Sequence, residues 1–129
     1  MKYNFFVLLI LLSACKQNKT ASPADILHDE VMVIHDKVMP EMKTIHNLKK
    51  ELEALKTPET DSLIMARVSE LNQSDEAMMA WMDKFSEPDG EEAKVTYLQE
   101  EKKKITEVND AVFRSIEKAR ATIDSLQKK

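Results

Sequence analysis

Apolar side chains recur at alternating steps of four and three residues along most of the chain beyond residue 22. This spacing puts them on one face of an α-helix, so the pattern predicts long amphipathic helices that each bury one stripe. Turn signals at residues 57–59 and 86–90 divide the pattern into three helices. The three stripes are Leu27, Val31, Ile34, Val38, Ile45, Leu48, Leu52 and Leu55; then Ile64, Val68, Leu71, Met78, Met82 and Phe85; and finally Val95, Leu98, Ile105, Val108, Val112, Ile116, Ala119, Ile123 and Leu126.

Residues at the ends of the stripes predict where the helices begin. Ser22, followed by a proline and by Asp25, is typical of a capped helix start. The Thr-Pro-Glu run at 57–59 repeats this signal, and Asp89, with a glutamate three residues later, predicts a third start. Pro40 lies inside the first stripe, where we expect a kink and no helix end because the stripe continues in register.

Short connections make long helices antiparallel neighbours. The sequence therefore predicts an all-α fold, an antiparallel up-down-up three-helix bundle over residues 22–129. Ser74 is a further capping residue inside helix two, and a break there would give a four-helix variant. Pairing across the turns gives partner numbers that sum to about 114 for helices one and two, and to about 177 for helices two and three.

The composition excludes several classes of protein. The chain has one glycine, whereas an average content of about 7% would give about nine, and phosphate-binding loops and β-turns need several. Its single cysteine excludes an internal disulfide framework and a multi-cysteine zinc site. The net charge of −4 argues against a nucleic-acid partner. No HExxH, nucleotide loop or Ser-His-Asp pattern is present, so we do not expect an enzyme.

The beginning of the chain resembles the signal of a bacterial lipoprotein. Lys2 precedes an unbroken apolar run at residues 5–12, which is far shorter than the ~20 residues of a membrane-spanning helix. The sequence Leu-Ser-Ala-Cys at 12–15 follows directly and is similar to the lipobox of that family. The motif contains the only cysteine of the chain, at the position where the family carries its lipid.

This resemblance implies two segments before the bundle and a location. Residues 1–14 would be a signal peptide that is cleaved, and residues 15–21 a lipidated tether. Cys15 would carry a diacyl or triacyl anchor, which holds a protein firmly to a membrane. Lys16 stands where the inner-membrane retention signal of the family usually has Asp, which favours the outer membrane, facing the periplasm.

Two carboxylates interrupt the apolar stripes. Glu41 and Asp75 occupy stripe positions on helices one and two, and the register sums place both near Lys102. Two carboxylates that share a site shift each other's pKa, which is how acid–base chemistry begins. The same three residues also fit a polar layer that fixes the register, or side chains that reach solvent at the edge of the bundle.

Histidines and methionines form a further stripe beside the first apolar stripe. It contains His28, Met32, His35, Met39, Met42 and His46, and the register brings Met78, Met79 and Met82 of helix two to its level, with Trp81 between them. Thioethers with imidazoles bind Cu(I), and heme held between a His and a Met is a related arrangement. The other interpretation is packing, because Met fills irregular cores. The candidate metal ligands are His28, Met32, His35, Met39, Met78, Met79 and Met82.

Three segments resemble one group of small proteins. They are HDEVMVIHDKVMPEM at 28–42, DEAMMAWMDKF at 75–85 and YLQEEKKKI at 97–105. They are similar to small Bacteroidota-type helical lipoproteins that are often labelled viral A-type inclusion proteins. That label reflects generic coiled-coil similarity and implies no viral role. The resemblance therefore implies a fold and a location only.

Taken alone, the sequence favours a lipid-anchored structural or protein-interaction module of the cell envelope, without a cofactor. The membrane would be its partner through the lipid on Cys15. A protein partner, or self-association through exposed heptad-like stripes, would be the second. Binding of copper or heme by the histidines and methionines is the alternative function.

Overall fold

The computed structural model describes residues 20–128, which form four α-helices and contain no strand. The helices are α1 (Pro23–Val38), α2 (Glu41–Ala54), α3 (Asp61–Lys84) and α4 (Glu91–Gln127). Because α1 and α2 follow each other as one arm, the arm, α3 and α4 make the three rods of the bundle. The predicted all-α three-helix bundle is confirmed. The signal segment 1–14, Cys15 and most of the tether lie outside the described residues.

The arm is interrupted where the sequence has its internal proline. Met39 and Pro40 keep right-handed helical backbone angles, with φ and ψ of −54° and −42°, and of −60° and −26°. Pro40 has no N–H to continue the ladder of helix hydrogen bonds. The expected kink therefore takes the form of a break, and the expectation that no helix ends here is wrong, because α1 ends at Val38.

The helix starts agree with the sequence in one case out of three. Ser22 Oγ accepts a hydrogen bond from the backbone N–H of Asp25, and the Asp25 carboxylate accepts one from the N–H of Ser22, both at 3.1 Å. The start of α3 follows Thr60 and not the 57–59 signal. The start of α4 follows Gly90, which has a φ of +89°, so Asp89 is not the cap. The only glycine of the chain thus stands where the backbone enters the left-handed region.

The three predicted stripes form the core, with a correction on α3. Every stripe residue is either buried or packed against the buried cluster. On α3, however, Ser74 and Trp81 are buried, whereas Asp75 is only half-buried. Ser74 Oγ donates to the carbonyl of Leu71 at 3.0 Å and lies 2.9 Å from Ser115 Oγ of α4. Helix α3 therefore runs unbroken through Ser74, and the four-helix variant based on a break there is wrong.

Two seams of the bundle differ in width. In the α3–α4 seam the backbones approach closely, whereas no Cα of α1 lies within 8 Å of a Cα of α3. Large side chains bridge this wide α1–α3 seam. The ring of His35 on α1 lies 6.0 Å from that of Trp81, and the Trp81 ring lies 5.0 Å from that of Phe85.

The register predicted from the turns is right for one pair of helices and wrong for the other. The rings of His28 and Phe85 lie 6.5 Å apart, as the sum of about 114 for helices one and two requires. Between α3 and α4, Ser74 lies opposite Ser115, where the sum predicts about residue 103. The connection 86–90 causes this difference in register. Tyr97 Oη accepts a hydrogen bond from the backbone N–H of Ser86 at 2.7 Å, and the first turns of α4 therefore extend past the end of α3.

The register of α3 against α4 takes Lys102 out of the proposed acid–base layer. Lys102 Nζ donates to Glu30 of α1 at 3.0 Å, and it forms no ion pair with Asp75 or Glu41 among the described residues. Glu41 and Asp75 are both half-buried. The expected grouping of the lysine with the two carboxylates is therefore wrong.

Candidate functional site

Most of the predicted metal ligands lie along the α1–α3 seam. On α1 and its C-cap, Met32, His35 and Met39 are three and four residues apart, which places them on one face, and all three are half-buried. On α3, Met78 is completely buried, and Met82 packs partly buried against the core. Methionines are therefore present on both sides of the seam that His35 and Trp81 bridge.

His35 has a carboxylate partner on one of its two ring nitrogens. Its Nδ1 lies 2.9 Å from a carboxylate oxygen of Asp36, and its side chain is 23% exposed. Because a carboxylate accepts hydrogen bonds, this contact places the proton of a neutral imidazole on Nδ1 and leaves the lone pair on Nε2. A carboxylate behind the second ring nitrogen is the usual support of a histidine that binds a metal.

Two other predicted ligands lie elsewhere. His28 Nδ1 is 2.5 Å from the carboxylate of Glu87, so this histidine is held by the α3–α4 connection. Met79 is 55% exposed. Met79 lies two helical turns after Asn72 and therefore on the same side of α3. Asn72 accepts a hydrogen bond from Lys49 of α2 at 2.9 Å, so this side faces the arm, and Met79 lies at the rim of the seam.

The chemistry of the seam depends on sulfur. Among residues 20–128, no group of three or more His, Cys, Asp or Glu side chains is placed to hold a metal ion. An ion in the seam would therefore need thioether ligands in addition to His35. Soft thioethers favour Cu(I) over hard cations such as Mg²⁺ or Ca²⁺.

An apolar pair on the outer face of α1 was not part of the sequence prediction. Ile26 is 50% exposed and Val33 is 68% exposed, and they are seven residues, or two helical turns, apart, so they share one face. Asp29, Glu30 and Asp36 surround the pair with exposed carboxylates. Two apolar residues off the main stripe, seven apart, are the signal in the sequence that points to this face.

None of the helices among residues 20–128 is both long and apolar enough to cross a membrane. The side chains that line α4 on its outer face are charged and alternate in sign, for example Glu100 and Lys103, which form an exposed ion pair.

Comparison with family models, with curated proteins and with solved structures gave no match for this chain. The features of the described residues that bear on function are the wide α1–α3 seam, His35 with its carboxylate partner, and the exposed apolar pair on α1.

Proposed function

We propose that this chain is a lipid-anchored interaction module of the bacterial cell envelope, which presents the outer face of α1 to a protein partner. The observation that supports this role is the exposure of Ile26 and Val33 on one face of α1. Completely burying an Ile or Val side chain contributes about 1.5–3 kcal/mol, so the pair offers a substantial gain on binding. The exposed carboxylates of Asp29 and Asp36 beside the pair suit a partner with a basic rim, whereas that of Glu30 is already paired with Lys102.

The proposed anchor fits the entry of the chain into the bundle. Ser22 lies seven positions after Cys15, and an extended chain spans about 3.3–3.6 Å per residue, so the tether reaches about 25 Å at most. The backbone N–H of Ala24 donates to Glu91 at 3.0 Å, which fixes the beginning of α1 beside the beginning of α4. The exposed pair lies in the first three turns of α1, and the partner we expect is therefore a protein at the same membrane.

The anchor is tested by blocking lipoprotein processing. Globomycin, which inhibits the lipoprotein signal peptidase, should cause a larger precursor to accumulate, because residues 1–14 would stay attached. Substitution Cys15→Ser should move the protein out of the membrane fraction. Unchanged mobility and unchanged membrane fractionation under both treatments would contradict the anchor.

The interaction face is tested by removing its apolar surface without adding charge. The double variant Ile26→Gln/Val33→Gln should lose cross-linked adducts on intact membranes and keep its thermal stability, since neither side chain belongs to the core. The matched control is Leu63→Gln/Met65→Gln on α3, which changes side chains that are 43% and 56% exposed. Equal loss of adducts in both double variants would show that the α1 face has no special role.

Copper binding is the second candidate function, supported by the arrangement of His35. The imidazole has a carboxylate behind Nδ1, and Met32 and Met39 lie one turn to either side of it. Anaerobic Cu(I) titration of residues 16–129 against a chromophoric chelator, with Zn(II) as the control ion, tests it. His35→Ala and Met82→Leu should weaken the affinity, and Met65→Leu, on an exposed methionine outside the seam, should leave it unchanged. Failure to compete with the chelator returns these residues to packing.

A further inference from the structure

The wide seam leaves one corner of the bundle open, on the side opposite α4. Helices α1 and α3 both pack against α4, yet no Cα of α1 lies within 8 Å of a Cα of α3. Helices at diagonal corners of a four-helix bundle have the same relation, since both contact a third helix and not each other. The arm closes this side only along α2, which packs against both α3 and α4. Beside α1, no helix of residues 20–128 occupies the fourth corner.

The floor of this corner consists of aromatic rings and thioethers. The rings of His28 and His35 on α1 reach aromatic rings of α3 at 6.5 and 6.0 Å, and their side chains are still 42% and 23% exposed. Met79 of α3 is 55% exposed at the rim. Methionine and aromatic side chains are enriched at protein interfaces, and methionine adapts its shape to a partner. We call this surface, made by His28, Met32, His35, Met79 and Phe85, the α1–α3 furrow.

Carboxylates border the furrow on both walls. On α1, Asp29 and Asp36 lie three residues before and four residues after Met32, which places them on the same side of the helix. On α3, Glu76 and Asp83 have the same spacing around the exposed methionine of the furrow. All four carboxylates are exposed, and none of them forms an ion pair with a lysine or arginine among residues 20–128.

The lysines of the same stretches lie on the other side of each helix, toward α4. Lys37 is the only lysine or arginine of α1, and its Nζ lies 5.0 Å from the ring centroid of Phe113 on α4. Lys84 is the only one in the second half of α3, and it lines the groove between α3 and α4. Glu30 also reaches α4, where it pairs with Lys102. The furrow therefore has an apolar floor between two negative walls.

We propose that the α1–α3 furrow binds a basic amphipathic helix of a partner protein, which takes the fourth corner of the bundle. The apolar side chains of that helix lie on the methionines and rings of the floor, and its lysines or arginines pair with the walls. A second copy of this chain does not suit the furrow, because the exposed pair Ile26 and Val33 is itself bordered by carboxylates. The furrow contains neither residue of that pair, so this proposal does not depend on the outer face of α1 or on the lipid anchor.

The single tryptophan of the chain makes the furrow observable. Trp81 is 7% exposed, and its ring lies 6.0 Å from that of His35 and 5.0 Å from that of Phe85, directly beneath the floor. The peptide LKKLLKLLKKLLKL has its leucines on one helical face and contains no tryptophan. Titrated into the intact protein, this peptide should change the fluorescence of Trp81 in a saturable manner.

Two control peptides separate charge from amphipathic shape. The peptide with glutamate in place of every lysine should not bind, because its carboxylates would meet the negative walls. A peptide of the same leucine and lysine content, with the leucines distributed around the helix, should bind at least tenfold more weakly, since it cannot cover the floor.

A matched pair of double variants tests the walls. Glu76→Lys/Asp83→Lys should weaken binding of the leucine–lysine peptide at least tenfold, because one negative wall becomes positive. Glu117→Lys/Asp124→Lys on α4 makes the same change of charge at the same seven-residue spacing, on exposed side chains outside the furrow. At physiological salt this control should have a much smaller effect, because distant exposed charges are screened.

A second matched pair tests the floor. Met79→Asn should weaken binding of the same peptide severalfold, because it removes exposed apolar surface from the furrow. Met65→Asn changes a methionine of nearly equal exposure, 56%, on the same helix but outside the furrow, and should leave the affinity unchanged.

Three results would overturn the proposal. They are the absence of a saturable response to the leucine–lysine peptide, an equal response to the glutamate peptide, and equal affinities in the furrow variants and their controls. Self-association of the intact protein that Met79→Asn abolishes would also overturn it, because a second copy would then cover the furrow. Circular dichroism of each variant confirms that the helices are intact.

Discussion

The two seams of the bundle show two ways of packing helices. In the α3–α4 seam, the hydroxyls of Ser74 and Ser115 meet at 2.9 Å between buried surfaces, because small residues let the backbones come close. In the α1–α3 seam, no Cα atoms lie within 8 Å of each other, and Trp81, His35 and Phe85 fill the distance. The narrow seam therefore depends on the smallness of its side chains, and the wide seam on their bulk.

This difference decides where chemistry is available. A narrow seam has no room for a ligand at the point where two serine hydroxyls already satisfy each other. The wide seam has an imidazole beside it and methionines packed nearby, and these side chains carry soft donor atoms.

An exposed groove lies beside the narrow seam between α3 and α4. Its wall includes Ala77, Ala80 and Ala111, whose side chains are too short to fill it.

The largest effect is expected from Trp81→Ala, which removes the side chain that spans the wide seam. The loss of unfolding free energy should be about 3–5 kcal/mol, because a buried aromatic is lost and a cavity remains. Urea unfolding followed by circular dichroism measures it, since the variant has no tryptophan. Trp81→Phe keeps an aromatic ring and should lose less than half as much. A loss below 1 kcal/mol would mean that Trp81 does not support the wide seam.

Ser74→Leu should have the next largest effect, because it puts a large side chain into the narrow seam. Overpacking costs about 1–3 kcal/mol, and the hydrogen bond to Ser115 is lost as well. Ser69→Leu, on the exposed face of the same helix, is the control and should stay within about 0.5 kcal/mol of the wild type. Equal stability of the two variants would contradict the distinction between the seams.

Ser22→Ala should destabilise the beginning of α1 by about 1 kcal/mol, because it removes the acceptor for the N–H of Asp25. Hydrogen exchange of the first turn should become faster, whereas exchange in α3 should be unchanged. The hydrogen bonds from Ser22 hold the pKa of Asp25 below its ordinary value. Unchanged exchange at this turn would show that the cap does not support the start of the wide seam.

The smallest effect is expected from acid titration of Glu70, which binds Lys118 across the narrow seam at 3.0 Å and also pairs with Arg67. The hydrogen bond from Lys118 holds the pKa of Glu70 below its ordinary value. A depressed carboxyl pKa contributes stability above the pKa of the unfolded chain, and this stability is lost as the pH falls below about 4.3. Glu70→Gln should remove that part of the pH dependence and cost less than about 1 kcal/mol at neutral pH, since the pair is partly exposed.

The stripes could be predicted because burial is periodic in the sequence, whereas the width of the α1–α3 seam was not predicted. His28 and His35 lie at the predicted level of α3 because the turn between α2 and α3 is short. The register of α3 against α4 could not be predicted in this way. The connection 86–90 lets α4 begin beyond the end of α3. The contacts of Ser86 with Tyr97 and of Ser74 with Ser115 show this register.

Two features of the sites were hidden for a similar reason. By spacing alone, Asp75 and Met82 fit the stripe of α3 as well as Ser74 and Trp81 do. Which of these side chains are buried depends on which neighbouring helix packs against which side of α3. Glu101 looks in the sequence like one of many surface glutamates, but its burial follows from the register of α4. A pattern of spacing carries no information on either point.

Site-specific photo-cross-linking in cells tests the central claim most directly. A benzophenone amino acid is placed at Val33, which is 68% exposed on the α1 face, or at Met65, which is 56% exposed on α3, in the chain with Cys15 intact. We predict a discrete membrane-fraction adduct from position 33 and none from position 65, and its loss in the Ile26→Gln background. No adduct from position 33, or the same adducts from both positions, would contradict an interaction module that uses the outer face of α1.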